Sequence, residues 1–390
     1  MLLESPVDKA PLWLSDNGPK AENVVLCECT LSRNLADFPF PDRCSFDERE
    51  GIERRVLSVL DNLSLLGGGV YYSLPSLTST EARFLVERRL ITPRMLLGNA
   101  ARGVYVAEDQ SFSIMVNASE HLCLRAHTSG LQPQEAWARL NLMDDTLAGS
   151  LDFAFDPRLG YLTSLLAHLG TGLRAAMLLH LPCLRETEQI EAMTALARRH
   201  RLVLQGVKAG YEDPLSGRRG SARASAGEMR RLRAGLMESL CSDLEGITGG
   251  RAPETTGDLF LLVNESTLGV AEDEILFHMR HVAEEILEAE AAARAEWRRE
   301  RAAHIEDRIG RALGVAAGAR LLSFQEGMDL LSSLRLGVAA GILADHSVPE
   351  INGLLLRAQR AHLELAVGHD CDELAAAVER ANLFRARFGA

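Results

Sequence analysis

The sequence predicts an α+β fold in which an antiparallel sheet flanked by helices is followed by an all-helical C-terminal domain. Residues 103–107 and 112–117 are apolar segments separated by the polar residues 108–110. This pattern is typical of neighbouring strands joined by a turn. From residue 305 to the end the apolar residues recur with helical spacing. Strands followed by a run of helices are the order found in α+β proteins.

Short apolar segments bounded by polar or glycine-containing turns predict the strands. The first strand covers 24–26 and continues into 27–34, and the last covers 258–264. Between these two, strands are predicted over 103–107, 112–117, 121–127, 175–181 and 202–206.

Apolar residues at helical spacing, together with stop signals, predict the helices. Residues 46–66 place Ile52, Val56 and Leu60 among charges and end at the three glycines 67–69. Residues 79–90 form a second helix that ends before Pro93. Further helices are predicted over 137–147, 186–200, 271–308 and 305–390, with Ser323 and 345–347 marking starts or breaks.

The composition indicates a soluble globular protein and argues against two classes of function. The chain has 390 residues, enough for two or three domains, with 47% apolar and 25% charged residues. No apolar run reaches the roughly 18 residues that span a bilayer. Residues 1–18 carry acids and prolines rather than a basic segment, so we expect no secretory signal and a cytoplasmic location without membrane contact. The net charge of −12 argues against nucleic-acid binding.

Seven cysteines are an odd number, and none of their spacings predicts a disulfide framework or a metal site. Cys27 and Cys29 are separated by one residue, which is the wrong spacing for a zinc knuckle. We interpret both as buried thiols of a strand. Residues 211–250 form an arginine-rich segment, which we interpret as an exposed insertion.

A glycine-rich loop followed by one arginine marks the candidate site. Gly170, Thr171 and Gly172 precede Arg174, which leads into the apolar run 175–181. Such a loop lets backbone N–H groups and one guanidinium approach a phosphate closely.

The segment 160–175 resembles the signature of the ATP:guanidino phosphotransferases, which usually reads GYLT[ST]CP[ST]N[VL]GTGLRA. Leu165 stands at the position of that family's reactive cysteine, and His168 at the position of its asparagine. Further blocks resemble the bacterial protein-arginine kinases (McsB) in the same order. They cover 13–14 with 18–19, 24–26, 32–35 with 38–41, 85–87 with 90–91, 113–117 with 121–122, 267–269, 307–323 and 334–337.

The resemblance implies a guanidino-kinase-like domain over 1–296, interrupted by the insertion 211–250, and a helical C-terminal domain over 297–390. It also implies ATP with Mg²⁺ as cofactor and a homodimer. Transfer of a phosphoryl group to a guanidinium requires cations around the phosphates and a carboxylate that accepts a proton. The positions that would supply these groups can therefore be compared with the family motifs one by one.

The first motif of the family, SSRIRLARN, supplies two phosphate-binding arginines. When it is aligned on Arg33 and Asn34, these two positions are Glu28 and Thr30. A carboxylate at residue 28 would repel a triphosphate.

The second motif, VNEEDHLR, contains the catalytic base and another nucleotide-binding arginine. Here its tandem glutamates are Ala118 and Ser119, its aspartate is Glu120 and its arginine is Cys123. Ser119 therefore stands at a catalytic position. Glu120 is a substitute base in one alternative.

The third motif, RGxxGE, carries a second carboxylate. Counted from Gln205 its glutamate position is Gly210, and counted back from Asn264 it is Arg251, with Glu254 nearby. Either alignment removes the carboxylate from this position.

The retained nucleotide positions lie around Arg174, the one arginine left among the family's nucleotide-binding arginines. A histidine of the family after the sequence LVE is Arg89 here. The resemblance implies nucleotide contacts at Gly170, Gly172, Arg174, Ala175, Ala176, Met177 and Leu178. In the other interpretation, Arg174 is kept for structure alone.

The C-terminal domain of the family carries a phosphoarginine pocket with the motif RDxxRA. Aligned on Arg380 and Ala381, its leading arginine and aspartate are Ala376 and Ala377. The apolar positions that persist there are typical of a packing or dimer surface.

Three hypotheses follow from these substitutions. The first is a pseudokinase that acts as a binding or regulatory subunit in protein quality control and the stress response. Its expected partner is an active arginine kinase, an activator similar to McsA, or a Clp-type adaptor. The second is an active ATP-dependent kinase with a site rebuilt from Arg174, Glu120 and arginines of the insertion. The third is a binder of a different anion or small molecule in the old cleft.

Overall fold

The computed structural model describes residues 10–15, 18–61, 68–97, 101–207 and 255–389. Within these residues eight strands form one antiparallel sheet in the order β2-β3-β4-β5-β1-β8-β10-β9, and β6 pairs with β7 in a separate hairpin. The strands are β1 (Val24–Arg33), β2 (Val70–Ser73), β3 (Gly103–Val106), β4 (Phe112–Val116), β5 (Leu122–Ser129), β6 (Phe155–Asp156), β7 (Gly160–Tyr161), β8 (Leu173–His180), β9 (Leu202–Gly206) and β10 (Leu259–Asn264).

Helices flank the sheet and make up the C-terminal part of the described chain. Six lie in the first part: α1 (Leu12–Ser15), α2 (Phe46–Leu60), α3 (Ser79–Glu87), α4 (Pro133–Ala148), α5 (Pro182–Glu186) and α6 (Ile190–Arg199). The others are α7 (Glu272–Glu300), α8 (Ala302–Gly318), α9 (Phe324–Ala339), α10 (Val348–Arg357), α11 (Arg360–Val367) and α12 (Glu373–Phe388). The predicted α+β class is confirmed.

Two predicted helices have wrong bounds. The helix predicted over 186–200 starts later, at Ile190, because α5 ends at Glu186 and the chain then turns at Glu188, whose φ is 58°. The helix predicted over 271–308 is divided. Arg301 has φ −138° and ψ 44° and separates α7 from α8. Neither break contains a glycine or proline, so the helical periodicity alone did not reveal them.

The two faces of the sheet have different surroundings. On one face Cys27, Cys29 and Leu31 of β1 join the main apolar core, which includes residues of α2, α4 and α7. The prediction of buried thiols at Cys27 and Cys29 is confirmed. Residues with the opposite parity, such as Glu28 and Thr30, lie on the other face, because successive side chains of a strand alternate.

The C-terminal helices pack against one end of this second face. A second apolar core joins Trp13 of α1 and Leu26 of β1 to residues of α8–α10 and α12. Asp258, just before β10, links the two parts through an ion pair of 2.7 Å with Arg308 of α8 and a hydrogen bond from Ser332 of α9. No helix in the described ranges is long and apolar enough to cross a membrane.

The starts or breaks predicted at Ser323 and 345–347 are helix starts in the structure. The Ser323 hydroxyl accepts the Glu326 N–H at 3.1 Å, as an N-cap does. The Ser347 N–H donates to the Glu350 carboxylate at 2.9 Å. These contacts begin α9 and α10.

Candidate functional site

The candidate site lies on the second face of the sheet, where β5, β1 and β8 run side by side. The strand register places Thr30 opposite both Arg125 and Arg174. It places Glu28 opposite His127 of β5 and Ala176 of β8. Two positions predicted from different motifs, residues 28 and 174, therefore lie on neighbouring strands and the same face.

Glu28 is the centre of a buried ionic cluster. Its side chain is only 2% exposed, and its Oε2 accepts from Arg89 Nη2 at 3.0 Å and from His127 Nε2 at 3.1 Å. Arg125 Nε lies 3.8 Å from its Oε1. We refer to Glu28, Arg89, Arg125 and His127 as the Glu28 cluster.

The charges in the Glu28 cluster compensate one another. Burial alone would raise the pKa of Glu28, but Arg125, Arg89 and His127 outweigh burial and hold that pKa well below its usual value. Burial lowers the pKa of His127, so its neutral ring donates the Nε2 hydrogen to Glu28. Glu28 is thus ionised and offsets one of the two positive charges that Arg89 and Arg125 bring to the cluster.

Arg89 reaches Glu28 because of the way α3 ends. Arg88 terminates the helix, and Arg89 follows with φ 60°, a left-handed conformation that is uncommon outside glycine. The Arg125 side chain donates to the Arg89 carbonyl, which holds this turn against β5. The sequence comparison noted Glu28 and Arg89 separately and missed their pairing. The signal was present as two substitutions with opposite changes of charge.

The second motif also contains a contact between two substituted positions. Ser119 Oγ lies 3.5 Å from Cys123 Sγ. Cys123 is buried, and burial raises the pKa of its thiol. A neutral hydroxyl and a neutral thiol therefore meet where the family motif has a carboxylate and a guanidinium.

Glu120 anchors a loop. It is fully buried, and both of its oxygens accept from the Ser164 N–H at 2.9 Å. Its Oε2 also accepts from the Ser164 hydroxyl at 2.8 Å and from Asn34 Nδ2 at 2.6 Å. The carboxylate connects β1 to the loop 162–172, and this geometry gives no support to Glu120 as a substitute base.

The glycines of this loop are required by close backbone packing. Gly170 has φ 108°, and a Cβ there would come within 2.5 Å of the Thr267 carbonyl oxygen. Gly172 has φ 70°, and a Cβ there would lie 2.7 Å from both Arg33 Nη1 and the Ser32 carbonyl oxygen. Both positions exclude larger residues whether or not a phosphate is bound.

Arg33 binds the loop 162–172 and connects it to α4. It pairs with Asp144 of α4 at 2.7 Å and donates to the Thr171 carbonyl at 2.9 Å. Its guanidinium also lies 3.5 Å from the centre of the Tyr161 ring. The sequence comparison used Arg33 only for alignment, and its structural role came from the geometry.

The substituted cysteine position of the loop is exposed, whereas the substituted asparagine position faces β1. Leu165 is exposed, and Leu166 is 83% exposed in a 3₁₀ turn over Leu166–His168. His168 Nδ1 lies 3.3 Å from Ser32 Oγ. Burial first, and the charge of Arg174 second, lower the pKa of His168 to about 4, so its ring is neutral at pH 7.

The predicted nucleotide positions 174–178 divide between the two faces. Ala175 and Met177 are fully buried in the main core. Arg174, Ala176 and Leu178 share the face of the Glu28 cluster, with Ala176 directly opposite Glu28 and Leu178 packed against the second core. A continuous run on a strand cannot present every side chain to one ligand. Gly210, Arg251 and Glu254 lie outside the described residues, as does the insertion 211–250.

Two family models match the chain. Residues 51–217 match the ATP:guanido phosphotransferase C-terminal catalytic domain, and residues 302–390 match the protein-arginine kinase McsB C-terminal domain. The protein-arginine kinase of Symbiobacterium thermophilum is 33% identical over 381 residues, covering 97% of this chain and 96% of that protein. The chain belongs to the protein-arginine kinase family. The Pelotomaculum thermopropionicum protein-arginine kinase is 32% identical over 96% of this chain and 95% of its own length.

Solved guanidino kinases share the fold of this protein-arginine kinase relative. A crystal structure of lombricine kinase has a TM-score of 0.53 at 19% identity, covering 74% of this chain and 72% of that one. The substrate-free duplicated taurocyamine kinase of Schistosoma mansoni has a TM-score of 0.52 at 20% identity, covering 72% of this chain and 35% of that one. At these identities the likeness concerns the fold alone.

In the C-terminal domain, Arg380 of the substituted phosphoarginine motif is a buried structural residue. It donates to the carbonyl oxygens of Ala358 and Leu322, both at 2.8 Å. Ala376, at the position of the family's leading arginine, is buried among apolar side chains. These contacts connect α12 to the end of α10 and to the segment just before α9.

Proposed function

We propose that this member of the protein-arginine kinase family has lost phosphoryl transfer and acts as a binding or regulatory subunit. The Glu28 cluster is the observation that carries the proposal. It puts a buried carboxylate, paired with the neighbouring arginines, at the position where the family motif has a phosphate-binding arginine.

Electrostatics explains why this arrangement opposes catalysis. Phosphoryl transfer depends on positive groups that stabilise the charge on the transferring phosphate. A charge-assisted hydrogen bond contributes about 1.5–3 kcal/mol, and the substitutions at residues 28, 30 and 123 remove three such donors. Glu28 further offsets one of the two positive charges of Arg89 and Arg125, which weakens the attraction of this pair for an anion.

The described residues do not fit a bound Mg²⁺–ATP. The positions of the first two motifs present Glu28, Thr30 and Cys123 to the phosphate side, and no carboxylate remains at residue 119. Arg174 is the retained nucleotide-binding arginine, and it lies on the same face as the Glu28 cluster.

We infer that the protein functions by binding a protein partner. The framework of both domains is kept although the catalytic positions are substituted. By analogy with the family, we propose a role in protein quality control, as a cytoplasmic homodimer that contacts an active arginine kinase, an activator similar to McsA or a Clp-type adaptor. An active kinase with a rebuilt site is the alternative, and the hydrogen bonds of Glu120 argue against it.

The test is direct detection of phosphoarginine. Purified full-length protein is incubated with Mg²⁺–ATP and an arginine-rich acceptor protein, and the products are analysed by mass spectrometry under conditions that preserve the acid-labile bond. We expect no incorporation above the level of the Arg174→Ala variant. Incorporation that the Arg174→Ala substitution abolishes would establish the active-kinase alternative.

A further inference from the structure

Helix α11 is fastened to helix α3 by a second buried polar network, outside the Glu28 cluster. Glu87, the last residue of α3, accepts the N–H groups of Ala361 and His362 at 2.7 and 3.1 Å. N–H groups in the first turn of a helix have no partner within that helix, so Glu87 supplies one. Further along α11, Glu364 pairs with Arg83 of α3 at 2.7 Å. We refer to these contacts as the α3–α11 clasp.

His362 lies at the centre of the clasp, between groups of opposite charge. Its Nδ1 is 2.6 Å from Glu87 Oε2, and Arg88 Nε donates to its Nε2 at 3.2 Å. Because a guanidinium can only donate, Nε2 is the bare nitrogen, and the hydrogen on Nδ1 is donated to Glu87. The ring is only 7% exposed, and its centre lies 4.5 Å from that of Phe84. These contacts fit the neutral form of the ring.

Protonation of His362 would oppose this arrangement. A hydrogen on Nε2 would remove the acceptor of Arg88 and bring two positive groups together inside a buried contact. The charged groups that face the ring are Glu87 and Arg88 of α3 and Arg357 of α10, and Arg380 of α12 acts on Glu87.

Burial, aided by the two arginines next to the ring, outweighs Glu87 and lowers the pKa of His362 below its ordinary value of 6.5. For a histidine whose pKa is lower in the folded than in the unfolded state, the contribution to stability is complete above the unfolded pKa and falls as the pH drops below it. The clasp should therefore be closed at pH 7.5 and weakened below pH 6.5.

The clasp ends at the residue before Arg89. Arg88 closes α3, and the Arg89 N–H donates to the Val86 carbonyl at 2.8 Å. The left-handed turn at residue 89 is thus continuous with the helix end that α11 holds. From this turn the Arg89 guanidinium reaches Glu28 at 3.0 Å. Loosening the end of α3 would therefore loosen the contact of Arg89 with Glu28.

We propose that the α3–α11 clasp is a proton-sensitive switch, in which protonation of His362 releases α11 from the end of α3 and loosens the pairing of Arg89 with Glu28. The C-terminal helices control the charge balance of the candidate site in this way. The proposal concerns the coupling between two parts of the chain, and it holds whether or not phosphoryl transfer is lost.

Hydrogen exchange of the full-length protein at pH 7.5 and 5.5 tests the switch, with each rate divided by the intrinsic rate of the same segment at that pH. Opening of the clasp exposes His362 to water, where its pKa is about 6.5, so exchange at residues 87–91 and 361–364 should rise by up to about tenfold at the lower pH. His362→Gln keeps an acceptor and a donor but cannot gain a proton, so its exchange should show no such rise. His304→Gln changes an exposed histidine of α8 and is the matched control, which should respond as the wild type does.

A second variant tests the coupling without a change of pH. Glu364→Gln removes the carboxylate that pairs with Arg83 and should raise exchange at residues 87–91 by at least about fivefold at pH 7.5. Glu350→Gln removes an ion pair with Arg387 between α10 and α12, so it controls for loss of stability elsewhere among the C-terminal helices and should leave residues 87–91 unchanged.

Two results would overturn the proposal. The first is a rise at the lower pH that is as large in His362→Gln as in the wild type, because the response would then belong to another group, such as His127 of the Glu28 cluster. The second is exchange at residues 87–91 that Glu364→Gln does not change.

Discussion

Replacing Glu28 with glutamine tests the Glu28 cluster directly. The substitution keeps the size of the side chain but removes the negative charge, which leaves Arg125 buried without its counter-ion. Loss of one partner from a buried ion pair typically costs about 3–5 kcal/mol. Arg89 is 32% exposed, so water screens part of its charge, and we expect a loss of about 2–3 kcal/mol in the free energy of unfolding.

Urea denaturation measures this loss as a lower midpoint at an unchanged m-value. Asp37→Asn is the control, because Asp37 and Arg55 form an ion pair in which both side chains are about half exposed. Its removal should change stability by less than about 1 kcal/mol. The double variant Glu28→Gln/Arg89→Gln should lose less stability than the sum of the losses of the two single variants, because the second substitution removes the charge that the first leaves unpaired. A Glu28→Gln variant as stable as the Asp37→Asn control would refute the compensating-charge argument.

Three further predictions concern the loop and the core. Gly170→Ala should lower the free energy of unfolding by more than about 2 kcal/mol because of its φ of 108° and the nearby Thr267 carbonyl, whereas Gly269→Ala, with φ 72° and open space around it, should lower it by about 1 kcal/mol. Equal losses for the two variants in urea denaturation would contradict the packing argument. Glu120→Gln should destabilise the protein by about 1–3 kcal/mol, because the amide nitrogen of glutamine cannot accept a hydrogen bond from Ser164. Hydrogen exchange should also increase at residues 162–168, and unchanged exchange would count against the anchoring role of Glu120. Burial raises the pKa of Glu290 to about 7, so between pH 4.5 and 7 the folded state keeps a proton that the unfolded chain has lost, and the free energy of unfolding should fall by up to about 3 kcal/mol over this range. Glu290→Gln should reduce this dependence of stability on pH and the exposed Glu288→Gln should not, so the same pH dependence in both variants would contradict the prediction.

The overall fold was predictable from the sequence because its signals are local. The paired segments 103–107 and 112–117 became β3 and β4, and the caps at Ser323 and Ser347 begin helices. The breaks at Glu188 and Arg301 were not predictable in this way. They depend on how neighbouring helices pack, and neither position carries a helix-breaking residue.

Motif comparison predicted which family positions of the candidate site are substituted, but it did not predict the contacts that the new residues make with one another. Motif comparison located residues 28, 119, 165 and 174, but it treated each position alone. The pairing of Glu28 with Arg89 joins segments that are 61 residues apart in the chain. Such a contact follows from the left-handed turn after α3 and the register of β1 with β5, which only the three-dimensional structure provides.

The role of the glycine loop also becomes clear only from contacts in the three-dimensional structure. Its sequence resembles a phosphate-binding loop, and the family match agrees with that origin. In the structure Gly170 and Gly172 fit against Thr267 and Arg33, and these contacts are sufficient to require glycine. A retained glycine motif is therefore compatible with the loss of phosphate binding.

Isothermal titration of Mg²⁺–ATP into the wild type and the Glu28→Gln variant tests the central claim most directly. The claim is that the negative charge of Glu28 weakens the attraction of Arg89 and Arg125 for a nucleotide phosphate. We expect no saturable ATP binding to the wild type and measurable binding to Glu28→Gln, in which Arg89 and Arg125 are released. Saturable binding to the wild type that Glu28→Gln leaves unchanged would contradict the account.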